Sequence, residues 1–95
     1  MRRAAKVDAN QAEIVESLLK SGCTVLVLSA VGGGCPDLLV GKNAHNVLLE
    51  IKIPGQAIRK DERGRKQRHF HSTWLGQIAT VTSPEEALRI VRIWT

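Results

Sequence analysis

Three ionisable side chains look misplaced in the segment GGGCPDLLVGKNAHNVLLEIKIPG, residues 32–55: Asp37, Glu50 and Lys52. Their neighbours are Leu, Val and Ile, the composition of strands buried in a sheet, where an unpaired charge is costly. Asp37 and Glu50 are separated by twelve residues, with the polar stretch KNAH between them. That is the pattern of two strands joined by a tight turn. If Asn43 and Ala44 are the two turn residues, Lys42 pairs with His45 and Asp37 comes to face Glu50, with Cα atoms about 4.5–5.5 Å apart. Period-two alternation places Lys52 on the same face and turns Leu49, Ile51 and Ile53 the other way, into a core.

Facing carboxylates repel unless a cation or a shared proton fills the gap. A divalent ion suits that gap, because two carboxylates, a nearby backbone carbonyl and waters make a hard-oxygen site for Mg²⁺ or Mn²⁺. Such an ion polarises a phosphodiester and acidifies water, and an adjacent lysine can orient that water or neutralise developing charge. The chemistry implied is phosphodiester hydrolysis. The same residues admit a plainer reading, in which Glu50 and Lys52 form a surface ion pair and Asp37 is an ordinary turn residue after Pro36.

Around this segment the sequence predicts a helix over about 10–21, capped by Asp8 or Asn10 and stopped by Gly22, followed by a strand over 23–29. Gly32, Gly33 and Gly34 then break the chain, making a tight turn or allowing a nucleic-acid backbone to approach. Pro36 suits the start of an edge-like strand. Residues 54–65 read as a mobile loop. A helix containing Phe70 and Trp74 on one face follows, ending at Gly76, with both rings expected in the core or at a dimer seam. QIATVT reads as a short strand and SPEEALRIVRIW as a last helix, with Ser83 as its N-cap and Pro84 in its first turn. The order is α-β-β-β-α-β-α in a single domain spanning residues 1–95, an α/β (α+β) arrangement with a mixed central sheet flanked by helices.

A formal charge of +5 and a pI near 9.8 favour polyanionic partners such as DNA. Arg59, Lys60, Arg63, Arg65, Lys66 and Arg68 gather near the Glu-x-Lys strand, where they can contact phosphates, although Asp61 and Glu62 offset them in part. No apolar run is long enough to span a bilayer and no signal peptide is visible, so no membrane role and a cytoplasmic location are expected. Cys23 and Cys35 are expected to be reduced, and no Cys/His spacing suggests zinc. His69 and His71 diverge on a helix, and His45 sits at the turn. Three aromatic residues are too few for a single-strand binder built on stacking.

Pro36-Asp37 followed by Glu50-Ile51-Lys52 resembles the PD-(D/E)XK nuclease motif, and the element order is similar to that superfamily's core. The segments DANQAEIV, GGGCPDLLVG and LLEIK, with Gln67 before HFHSTW, resemble the small stand-alone members of the VRR-NUC branch, often carried by phages and prophages. That resemblance runs from Asp8 to about Ala87. It implies a divalent-metal-dependent DNA endonuclease, acting as a homodimer on DNA that includes branched or Holliday-junction forms, in a bacterial or phage-infected cell. Asp37, Glu50 and the carbonyl of Ile51 would hold Mg²⁺ or Mn²⁺, with Lys52 as the catalytic lysine. Glu13 would complete the acidic cluster, with Glu16 as its substitute, and Gln67 would reach the active site from the helix after the Glu-x-Lys strand. This chain has ERGRK where members usually begin that helix with a Ser/Thr-Pro-type start. The alternative is a DNA-binding module that keeps the fold without catalysis.

Overall fold

The computed structural model describes residues 6–55 and 60–95. The elements follow as α1 (Lys6–Lys20), β1 (Thr24–Val27), β2 (Leu38–Lys42), β3 (His45–Ile51), α2 (Glu62–Thr73), β4 (Ile78–Val81) and α3 (Pro84–Trp94). This is the expected α-β-β-β-α-β-α order, built on one four-stranded sheet in the order β1-β2-β3-β4. The first three strands are antiparallel, while β3 and β4 are parallel, so the sheet is mixed. Parallel neighbours need a crossover, and α2 lies within the connection from β3 to β4.

The helices α1 and α3 pack against each other and against one face of the sheet. Ile14 and Leu18 from α1 and Ala87 and Val91 from α3 close over Leu38, Val40, Val47, Leu49, Ile51 and Val81. The alternation within β3 places Val47, Leu49 and Ile51 in this core, so Leu48 and Glu50 belong to the other face. On that face α2 makes its contacts: Gln67 meets Lys52, and Nε2 of His71 lies 3.3 Å from Thr80 Oγ1. Among the described residues no helix is long and apolar enough to cross a membrane.

Several local expectations change. Helix α1 begins at Lys6, so Asp8 and Asn10 lie inside it and neither is its cap. Helix α2 begins at Glu62, so the latter part of the expected loop is helical, because the Asp61 carboxylate caps it by accepting from Gly64 N at 3.0 Å. Strand β2 is interior rather than edge-like, and Pro36 is tolerated because it precedes the first paired residue, Leu38. Phe70 is half-buried and Trp74 is 47 % exposed, so the aromatic pair lies outside the core. In α3, Ser83 Oγ accepts from Glu86 N at 3.1 Å with Pro84 in the first turn, as expected. Both cysteines are free, Cys23 buried and Cys35 half-buried.

The turn between β2 and β3 sets the register. Asn43 and Ala44 have φ of 51° and 67°, the left-handed pair of a type I′ hairpin turn. Lys42 pairs with His45 as expected, and the ladder runs to Leu38 opposite Leu49. Asparagine adopts this conformation readily, but alanine is strained by its Cβ. Ala44→Gly is therefore expected to stabilise the protein by about 1 kcal/mol, once the extra freedom of glycine in the unfolded chain is deducted. Chemical denaturation measures this, and an unchanged midpoint would contradict the turn assignment.

Candidate active site

Asp37 lies one residue beyond the β2–β3 ladder, and continuing the register sets it against Glu50. Its backbone is held on both sides: Asp37 N donates to Leu49 O at 3.0 Å, and Leu28 N donates to Asp37 O at 2.7 Å. Its side chain replaces a backbone acceptor, with Oδ2 accepting from Ile51 N at 2.7 Å. Asp37 thus bonds to the residues before and after Glu50, which fixes the two carboxylates beside each other. One Asp37 oxygen is committed to this bond, and the other is not needed for it.

Glu50 is the buried charged residue of the described chain, at 7 % exposure. Its carboxyl is pushed up to about 7, first by burial and then by the charge of Asp37, with Lys52 pulling the other way. The Asp37 carboxyl is also raised, first by burial, against the opposing Ile51 hydrogen bond and the Lys52 charge. The Asp37 carboxylate thus makes Glu50 harder to ionise, as expected of neighbouring acids that Lys52 only partly neutralises.

Lys52 follows β3 directly. Its backbone N donates to Val81 O at 3.0 Å, and its carbonyl accepts from Asn10 Nδ2 at 3.3 Å. The ammonium Nζ lies 3.6 Å from Glu50 Oε2 and donates to Gln67 Oε1 at 3.0 Å. A lysine head held between a carboxylate and a neutral carbonyl is localised more tightly than a lone surface lysine. Gln67 reaches this point from α2, two turns inside the cap formed by Asp61.

The structure therefore brings Asp37, Glu50, Ile51, Lys52 and Gln67 together. Glu13 is exposed on α1, since burying Ile14 and Leu18 turns it about 100° away from the core. Glu16 is exposed as well and pairs with Lys20 at 3.4 Å. Among the described residues no three His, Cys, Asp or Glu side chains are gathered closely enough to hold a metal ion, so neither Glu13 nor Glu16 closes on Asp37 and Glu50 in this structure. The donor set still fits a hard divalent cation, because two adjacent carboxylates with raised pKa values and the Ile51 carbonyl at a strand end offer oxygens and need positive charge.

Lys60, Arg63, Arg65, Lys66 and Arg68 are all exposed, and Arg59 lies outside the described residues. Arg65 Nε donates to Glu62 Oε1 at 3.0 Å, an exposed pair that leaves the surface around it dominantly cationic. The glycine run has a structural use at Gly34, where φ is +83° and a Cβ would lie 2.3 Å from the Lys66 carbonyl oxygen. The close approach is to the backbone of α2, and it helps set Gln67 relative to Lys52.

Asn10 is a site-supporting residue that local sequence does not reveal. Its amide bridges Lys52 O and Thr82 O, 3.3 and 3.2 Å away, tying α1 to the ends of both parallel strands. Those partners are 42 and 72 residues away, and no spacing rule links them.

This geometry defines a class: a mixed α/β sheet with an acidic pair and a lysine at the ends of two adjacent strands. The fold is that of a VRR_NUC domain, since a solved structure described by that name superimposes with a TM-score of 0.63 and 21 % identity, covering 97 % of this chain and 100 % of its own. The sequence itself matches no family model and no curated protein.

Two measurements test this site. Gly34→Ala is expected to cost about 2–4 kcal/mol, combining left-handed strain with a collision against rigid backbone. An unfolding midpoint within error of the parent would refute the close approach. The raised Glu50 pKa fixes the sign of the second. The folded state holds the proton more tightly than the unfolded one, so this contribution is present below about pH 4.5 and is lost as pH rises through about 7. The loss is about 3 kcal/mol in metal-free protein. Glu50→Gln should remove most of this slope, leaving the smaller Asp37 contribution, and should make the metal-free protein more stable than the parent at pH 8.

Proposed function

We propose that this protein is a divalent-metal-dependent DNA endonuclease that hydrolyses phosphodiester bonds. The observation that carries the reading is the placement of Asp37 beside Glu50, with the Lys52 ammonium 3.6 Å from the Glu50 carboxylate. Two carboxylates forced together in a half-buried site destabilise the chain on their own, which is the expected mark of a site kept for chemistry.

In this reading Asp37, Glu50 and the Ile51 carbonyl hold Mg²⁺ or Mn²⁺. The cation supplies charge neutralisation at the scissile phosphate and lowers the pKa of water. The chain's own residues do the rest. Lys52 presents its ammonium toward the reacting phosphate, where it offsets developing negative charge or orients the attacking water. Gln67 keeps that ammonium in place, and Asn10 keeps the strand end beneath it from shifting. The exposed cations Lys60, Arg63, Lys66 and Arg68, with Arg59 beside them in sequence, draw and hold the DNA backbone. Arg65 belongs to the same surface.

Branched DNA is the proposed substrate class, with a homodimer cutting both strands. Support for pairing of two copies comes from the edge strand β1, where Leu26 and Val27 are exposed, and from the groove between β1 and α1 lined by Val15, Leu19 and Val27. An open strand edge with apolar neighbours is a natural seam.

Cleavage of labelled junction and linear DNA tests the reading. Activity should require Mg²⁺ or Mn²⁺, vanish with EDTA, and fall by roughly a hundredfold or more in Glu50→Gln and Lys52→Ala. Gln67→Ala should lower it by roughly ten- to a hundredfold, through misplacement of Lys52. Cutting that survives EDTA or both main substitutions would exclude this centre. Salt-sensitive binding with no cutting under any metal would instead assign the chain to non-catalytic DNA-binding modules.

A further inference from the structure

The end of α2 carries a feature that the active centre does not use. Phe70 and Trp74 stack with ring centroids 5.2 Å apart and planes 12° from parallel. Trp74 N donates to Phe70 O at 3.0 Å, closing the helix beneath the rings. Two residues later the chain passes the indole so closely that a Cβ on Gly76 would lie 2.8 Å from Trp74 Nε1. The indole is thus backed by Phe70 and held along one edge by Gly76. It is nonetheless 47 % exposed, and Leu75 beside it is 101 % exposed. An ordered aromatic ring and a fully exposed leucine side by side call for an occupant more than scattered surface apolars do.

Charge indicates which occupant. The sequence of α2 carries four cations, Arg63, Arg65, Lys66 and Arg68, against the single acid Glu62, and adds His69 and His71 on either side of Phe70. Surfaces that hold unpaired nucleic acid combine cations along the backbone with exposed rings for the bases. Position agrees. Trp74 is seven residues after Gln67, nearly the same stripe of the helix and about 10 Å further along its axis. That spans about three base steps at 3.4 Å each.

Resting on the DNA reading above, we infer that Trp74, backed by Phe70 and flanked by Leu75, is a stacking platform for an unpaired base, seated about three nucleotides from the phosphate at the Asp37–Glu50–Lys52 centre. A duplex base is already stacked on both sides and gains nothing from the ring. A base freed at a branch point or a single-strand boundary does gain, and every base has a face to offer. The platform therefore makes the protein prefer branched over linear DNA without reading sequence.

Binding in EDTA isolates this from catalysis. Fluorescence anisotropy compares a four-way junction and a flapped duplex with a linear duplex of equal length, for the parent, Trp74→Ala, Trp74→Phe and Leu75→Ala. Trp74→Ala should lose roughly tenfold in affinity for branched DNA while linear affinity stays within about twofold. Trp74→Phe should keep most of the preference, and Leu75→Ala should lose part of it. A 2-aminopurine placed at the branch should be quenched by the parent and not by Trp74→Ala. Equal losses on both DNAs, or unchanged branched affinity in Trp74→Ala, would overturn the inference. So would a change of oligomeric state in Trp74→Ala by gel filtration, which would make the rings a protein seam. If the parent binds neither DNA, the nucleic-acid reading fails and this one with it. A Trp74-dependent preference in a protein that never cuts would leave the platform standing and remove the nuclease.

Discussion

Repulsion between Asp37 and Glu50 is the constraint around which this small fold is arranged. The left-handed turn at Asn43 and Ala44 fixes the β2–β3 register, and that register carries Asp37 to the level of Glu50. A free pair of carboxylates would relax apart. Here they do not, because Asp37 is bonded to the main chain at Leu28, Leu49 and Ile51, and Glu50 sits on a strand whose alternate residues are locked in the core. The apolar packing of Leu38, Leu49 and Ile51 against α1 and α3 offsets the cost of ionising Glu50. The two faces of β3 thus do opposite work: one supplies stability, and the other holds charge that opposes it.

The helix α2 depends on that charged face more than on the core. Its buried residue is Gly64, and most of its remaining surface is charged or hydroxylic. A helix polar nearly all round gains little from burial and is held by specific contacts. Those contacts are Gly34 against the Lys66 backbone, Gln67 with Lys52, and His71 near Thr80, the residue paired with Glu50 in the parallel ladder. Elements with few buried apolar contacts lie at the low-stability end of a fold, where binding surfaces are commonly found.

Similarity in fold to a VRR_NUC domain, at 21 % identity over 97 % of the chain, shows the same arrangement of helices and strands formed by a largely different sequence. In this chain the site is framed by a glycine loop ahead of β2, an acid at the strand's entrance, an acid and a lysine leaving β3, and a glutamine on the crossover helix. Fold alone does not assign an activity, which is why the reading rests on the geometry of Asp37, Glu50 and Lys52.

The sequence by itself determined what depends on neighbours a few residues apart. Alternation in NVLLEIK separates core from site, the two-residue turn fixes the register, and Ser83-Pro84 starts α3, because each follows from local geometry. It also made Asp37, Glu50 and Lys52 conspicuous, since charges within apolar strands violate the pattern around them. Only the tertiary structure decided the rest. Gly64 in the first turn of α2 obscured a start that the Asp61 cap sets. The helical phase that buries Ile14 turned Glu13 outward, and Asn10 found partners on strands distant in sequence. Phe70 and Trp74 share one face from spacing alone, but whether that face meets the core or water depends on how α2 docks. Periodicity specifies which residues lie together on an element; the packing of elements, a balance over the whole chain, specifies what they face.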